Sequence, residues 1–174
     1  GPGPKETLDL FLPRGIARGT FVFLHGGYWR ALDKDAHAFV APPLTARGIA
    51  VAVANYDLCP QVSIATIVEE TARAVAWLVR EGPQHGAAAR PLVVGAAVLL
   101  ALGLGLAAGG AETSEFLRQS ELLWDAWPRN RPSGWRGPLS VPGKHHFDVV
   151  LEHADEESSL TRATFALFEG ARAG

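Results

Sequence analysis

The sequence contains no methionine, a single cysteine and only two tyrosines among 174 residues. One cysteine, Cys59, excludes an internal disulfide framework and fits a reducing compartment. An excess of either charge is also lacking: 16 Lys and Arg stand against 18 Asp and Glu, a formal net charge of −2. That balance leaves no electrostatic footprint for nucleic acid, and no basic cluster suggests a membrane surface. No charged-then-apolar leader is legible at the start, so a cytoplasmic place is expected. Residues 1–4, Gly-Pro-Gly-Pro, read as a protease-cleavage scar outside the fold.

What is present is a chain 48% hydrophobic and 20% charged, the balance of a globular domain large enough to bury a core. Residues 5–174 are expected to form one domain. "ETLDLFLP" alternates apolar and polar positions and stops at Pro13, as an outer strand does. "GTFVFLHGG" is a continuous apolar run closed by glycines, the pattern of a central parallel strand covered on both faces. Residues 33–47 suggest a helix with acidic residues early, broken or kinked at Pro42 and Pro43. "GIAVAVANYDLCP" reads as a further strand, ending in a loop around Pro60.

The clearest helix places Ile64, Ile67, Val68, Val75, Leu78 and Val79 on one face, with Glu69, Glu70, Arg73 and Arg80 off it. Gly82 and Pro83 end that helix. "RPLVVG" is a short buried strand, residues 114–127 an amphipathic helix stopped by Pro128, and "GPLSVPG" a short strand or loop. Residues 156–170 supply a last helix. Strands alternating with helices imply a mostly parallel sheet in a three-layer α/β/α sandwich.

In such a sheet, function gathers at the carboxyl ends of the strands. His25-Gly26-Gly27 lies at one of them. Glycines let the backbone approach a ligand closely with its amides exposed, which is what an oxyanion hole requires. A plain strand-to-loop turn accounts for the same residues.

"HGGYWR", "NYDLCPQVSI", "ETSEFLRQS" and "KHHFDVV", in that order, resemble the arylformamidase (kynurenine formamidase) group of α/β-hydrolases. The resemblance covers nearly the whole chain except residues 96–109. It implies a cofactor-free serine hydrolase acting on N-formylkynurenine or a related aryl formamide or ester. Gly26 and Gly27 then match the oxyanion loop, and Tyr28 and Trp29 line the pocket near an aryl substrate or simply pack against the loop. Glu112 falls where the family places its catalytic acid, usually an aspartate; glutamate serves that role in other α/β-hydrolases. A solvated helix-cap carboxylate is the alternative at that position. His146 matches the catalytic base, with His145 its neighbour, and Cys59 is read as packing. The resemblance also admits a homodimer.

One expected element is missing. A nucleophile elbow, Gly-x-Ser-x-Gly, should follow "RPLVV", yet the chain runs "GAAVL": Ala97 occupies the serine position and Leu99 that of the final glycine. The tract 95–110 that follows uses only Gly, Ala, Val and Leu. Losing the serine of a triad costs about 10⁶ in turnover, roughly 8 kcal/mol of transition-state stabilisation. Two readings follow: a serine hydrolase whose nucleophile segment is absent from this sequence, or a shortened, non-catalytic relative acting as a binding module. The absence of methionine and the narrow alphabet of the tract favour the first. Residues 91–111 carry no charge and reach the roughly 20 residues of a bilayer span. They are rich in glycine, however, begin as the expected sheet strand, and have hydrolase motifs on both sides.

Overall fold

A computed structural model of the chain describes residues 1–90, 92–96, 107–111, 114–126, 135–145 and 148–170. They fall into two compact units, Gly1–Leu100 and Ala101–Gly174.

The first unit is a four-stranded sheet. Strand β1 (Leu8–Phe11) is followed by β2 (Gly19–Leu24), a 3₁₀ segment Lys34–Val40, helix α1 (Ala41–Ala46) and β3 (Ile49–Ala54). Helix α2 (Ile64–Arg80) and β4 (Leu92–Ala96) complete it. The strand order is β1-β3-β2-β4. β2 runs parallel to both β3 and β4, and β1 lies antiparallel at the edge beside β3. Every residue of β2 and β3 is buried, as two continuous apolar runs covered on both faces should be.

The pleat divides those runs between two layers. Val22, Leu24, Ala52 and Ala54 cluster with Leu78 of α2, and half-buried Leu8, Leu10, Ala74, Val75 and Trp77 close around them. Phe21, Phe23, Val51 and Val53 point the other way. There Phe23 meets the ring of His37 at 5.4 Å, and α1 packs against β3. Each fully buried Phe or Val removed from water contributes about 1.5–3 kcal/mol. The loops leaving β2 and β3 thus turn to opposite faces of the sheet, the topology at whose strand ends function gathers in open α/β sheets.

Two helices differ from the sequence expectation. Residues 34–46 form a 3₁₀ segment running into a short α-helix, with the change at Val40–Ala41 rather than a break or kink at Pro42 and Pro43. Pro42 and Pro43 sit in the first turn of α1, where a missing N–H breaks no intrahelical bond. Asp33 caps the preceding segment by accepting from the Asp35 N–H at 3.1 Å. In α2 the buried stripe is Ile67, Glu70, Thr71 and Leu78, while Ile64, Val68 and Val79 are exposed. Glu70 goes inside because its carboxylate accepts the Asp57 N–H at 2.9 Å. Burial pushes its pKa up.

The second unit contains β5 (Ala107–Gly109), α3 (Ser114–Ala126), β6 (Leu139–Val141), a 3₁₀ segment Val149–Ala154 and α4 (Ser159–Gly170). β5 and β6 pair in parallel, Ala107 opposite Leu139 and Gly109 opposite Val141. Strand β5 lies inside the Gly/Ala/Val/Leu tract, where no strand was expected. Ser158 accepts the Thr161 N–H at 3.0 Å and donates to the Glu152 carbonyl at 2.7 Å, tying the start of α4 to the 3₁₀ segment. Among the described residues no helix is long and apolar enough to cross a membrane.

Candidate functional site

The candidate site is built from the residues that follow β2 and β3. Register carries them together: Leu24 pairs with Ala54, so His25 comes beside Asn55 and Tyr56. His25 is fully buried. Its Nδ1 donates to the Gly26 carbonyl at 2.7 Å, and its Nε2 lies 3.0 Å from Asn55 Oδ1. Asn55 Nδ2 donates in turn to Asp33 Oδ2 at 3.0 Å. The ring is sandwiched between Tyr56 (centroids 4.2 Å apart, planes 6° apart) and His37 (5.7 Å, 22°). Tyr56 Oη donates to the His25 carbonyl at 2.5 Å.

Acceptors at both ring nitrogens favour an imidazolium at His25, but burial is the larger effect and holds its pKa below the ordinary value. Asp33 is held below the usual carboxylate range, first by the Asp35 N–H and also by Asn55, against the opposing effect of burial. Burial pushes the Tyr56 phenol up, so it stays a donor.

The glycine loop follows directly. Gly27 has φ of +113°, and a Cβ there would stand 2.1 Å from the carbonyl oxygen of Ala31. Only glycine fits, because that carbonyl belongs to a tight turn in which Gly27 O accepts from both Arg30 N and Ala31 N. Tyr28, Trp29 and Leu32 also have positive φ, 55°, 62° and 71°. Side-chain-bearing residues in the left-handed region cost of order 1–3 kcal/mol each, and such strain collects at functional sites. Cys59 N donates to Trp29 O at 2.7 Å, fastening this loop to the one after β3. Among the described residues, none accepts a hydrogen bond from the N–H of Gly26 or Gly27.

The structure therefore places Gly26, Gly27, Tyr28 and Trp29 on one strained loop at the carboxyl end of β2. Tyr28 is exposed; Trp29 is half-buried, its ring 5.8 Å from that of Tyr56. Glu112, His146, Ala97 and Leu99 lie outside the described residues. His145 is described: its N–H donates to Asp148 Oδ1 at 2.6 Å, and its side chain is exposed. Cys59 is half-buried with a free thiol. Among the described residues no cluster of three His, Cys, Asp or Glu could hold a metal ion. Asn55, Tyr56, Asp33 and His37 were not singled out from the sequence. For Asn55 and Tyr56 the signal was polar residues set immediately after the apolar strand β3; Asp33 and His37 lie farther along the chain and carried none.

A parallel β3-β2-β4 core, helices on both faces and a glycine loop at a strand's carboxyl end make a shortened α/β-hydrolase fold. No protein-family model matches the chain. It is 31% identical over 83 residues to the kynurenine formamidase of Salmo salar, 47% of this chain and 28% of that protein. It is 40% identical over 76 residues to the kynurenine formamidase of Drosophila melanogaster, 42% of this chain and 25% of that one. These matches span only about a quarter of the length of the curated relatives. Among solved structures, a candidate thioesterase from Silicibacter sp. aligns with a TM-score of 0.75 at 25% identity, covering 93% of this chain and 81% of its own.

Proposed function

We propose that this chain carries the oxyanion half of a serine-type hydrolase acting on N-formylkynurenine or a related aryl formamide or ester. The observation that carries the reading is the pair of glycine amides, Gly26 and Gly27, held on a strained loop at the carboxyl end of a buried strand. The similarity to kynurenine formamidases supports it. In this mechanism a serine hydroxyl attacks the formyl or acyl carbon and His146 takes its proton, with Glu112 orienting the imidazole. The N–H groups of Gly26 and Gly27 receive the developing negative oxygen. His146 then returns the proton to the leaving amine or alcohol, and water releases the acyl group from the serine. Tyr28 and Trp29 border the aryl group. The same reading has the enzyme work in the cytoplasm on a small molecule, without cofactor, nucleic acid or membrane, and admits a homodimer.

The nucleophile is the open member, since Ala97 stands where the elbow serine is expected. Labelling with a serine-directed fluorophosphonate, followed by peptide sequencing and intact mass, tests the reading. The expected result is one labelled serine and a mass above 18.5 kDa, with formate released from N-formylkynurenine. His146→Ala then abolishes hydrolysis with the fold intact; unchanged activity removes His146 as the base.

Ala97 itself favours a second reading, a non-catalytic binding module on the same scaffold. An unlabelled protein of 18.5 kDa that binds N-formylkynurenine saturably and releases no formate establishes that reading instead.

A further inference from the structure

Two consecutive peptide planes at the end of β2 are each gripped through the carbonyl. Tyr56 Oη donates to the carbonyl of His25, and His25 Nδ1 donates to the carbonyl of Gly26. A trans peptide is planar and points its N–H opposite to its C=O. The plane that begins with the His25 carbonyl ends in the N–H of Gly26, and the next plane ends in the N–H of Gly27. Holding each carbonyl therefore aims the amide behind it.

We propose that Tyr56 is a positioning residue of the oxyanion loop: its hydroxyl sets the direction in which the Gly26 N–H points. Rotation of that plane would break the Tyr56 bond inside a fully buried pocket, where an orphaned polar group costs about 1–3 kcal/mol. The hydroxyl cannot follow such a rotation easily, because the phenol ring is fully buried and lies flat on the His25 imidazole. Accepting this bond also polarises the peptide and makes its N–H a better donor. The loop is thus aimed from β3, the neighbouring strand, rather than from its own turn alone. His25 plays the corresponding part for Gly27, and Asn55 and Asp33 hold His25. The functional side of this inference rests on Gly26 and Gly27 being the oxyanion donors.

Tyr56→Phe removes the hydroxyl and keeps the stacked ring. In ¹⁵N–¹H spectra of the whole protein, the Gly26 amide is expected to move upfield while that of Gly27, held through His25, stays in place. In a protein that hydrolyses formamide or ester, kcat falls about 10- to 100-fold with KM unchanged, less than deletion of an oxyanion donor costs. A Gly26 resonance that does not move overturns the proposal, and so does an active protein whose kcat is unaffected. A wild-type protein that hydrolyses nothing, in which the variant still moves Gly26, removes the hydrolase reading and leaves the positioning geometry standing. If Tyr56→Phe does not fold, the unmodified protein decides. Its Tyr56 hydroxyl proton is expected in slow exchange with water, and exchange as fast as that of free tyrosine overturns the proposal.

Discussion

Tyr56 touches His25 twice: its ring stacks on the imidazole with centroids 4.2 Å apart, and its hydroxyl donates to the same residue's carbonyl at 2.5 Å. The two residues are 31 positions apart in the chain and meet only because β2 and β3 are parallel neighbours in register. Side chain and backbone of His25 are therefore fixed from one partner, and the glycine loop that follows inherits its starting direction. Three measurable consequences follow from this cluster, from the glycine loop and from the buried histidines.

Asn55 joins His25 to Asp33, and its removal leaves polar groups of both without this partner. Asn55→Ala is expected to destabilise the protein by about 1–3 kcal/mol, read as a lower urea midpoint with an unchanged m-value. A midpoint equal to wild type would show that the amide link carries no stability.

Gly27→Ala introduces a Cβ against the Ala31 carbonyl at a φ that side chains avoid. Neighbouring backbone has to move, so the turn held by Arg30 N and Ala31 N opens. We expect a loss of roughly 1–3 kcal/mol by chemical denaturation, and loss of any hydrolysis. Gly15, with φ +85° and open space around it, is the control. Gly15→Ala carries the backbone cost alone, and if it destabilises as much as Gly27→Ala, the clash argument fails.

Stability should fall on mild acidification. Burial pushes the pKa of His153 down to about 4 and lowers that of His25. His153 therefore takes up its proton at lower pH in the fold than in the unfolded chain, so stability is full above about pH 6.5 and declines as pH drops toward 4. His153 accounts for on the order of 3 kcal/mol over that window. Asp33, whose folded pKa is depressed, adds a further loss as pH falls below about 4. Denaturation midpoints at about pH 7 and about pH 4.5 measure the slope, and His153→Leu should flatten it. Equal midpoints at the two values would contradict the depressed pKa of His153.

Much of the first unit was legible in the sequence because its signals are local. Strands β2 and β3 are apolar runs interrupted only by Thr20, and Pro13, Gly82 and Pro83 punctuate as expected. The glycine loop was legible too, since two adjacent glycines at the end of such a run have few uses. Other features were not. Glu70 looked like a solvent-facing helix residue, and only the Asp57 N–H arriving from another segment makes its burial tolerable. Residues 107–109 belong to a tract of only Gly, Ala, Val and Leu with no polar position to mark a face, so nothing local distinguished strand β5 within it.

Chain-local chemistry was thus enough for strands β1 to β4, the turn at Gly26 and Gly27, and the resemblance to arylformamidases. The order β1-β3-β2-β4, the separation of α1 and α2 onto opposite faces, and the meeting of Tyr56, Asn55 and Asp33 around His25 arose only on folding. The reason is physical. Periodicity and turn preference act over a few residues, whereas strand pairing joins residues about thirty positions apart through backbone bonds that are alike in every strand. Which side chain ends up beside His25 is a matter of register, and register is set by how the whole sheet buries its two faces.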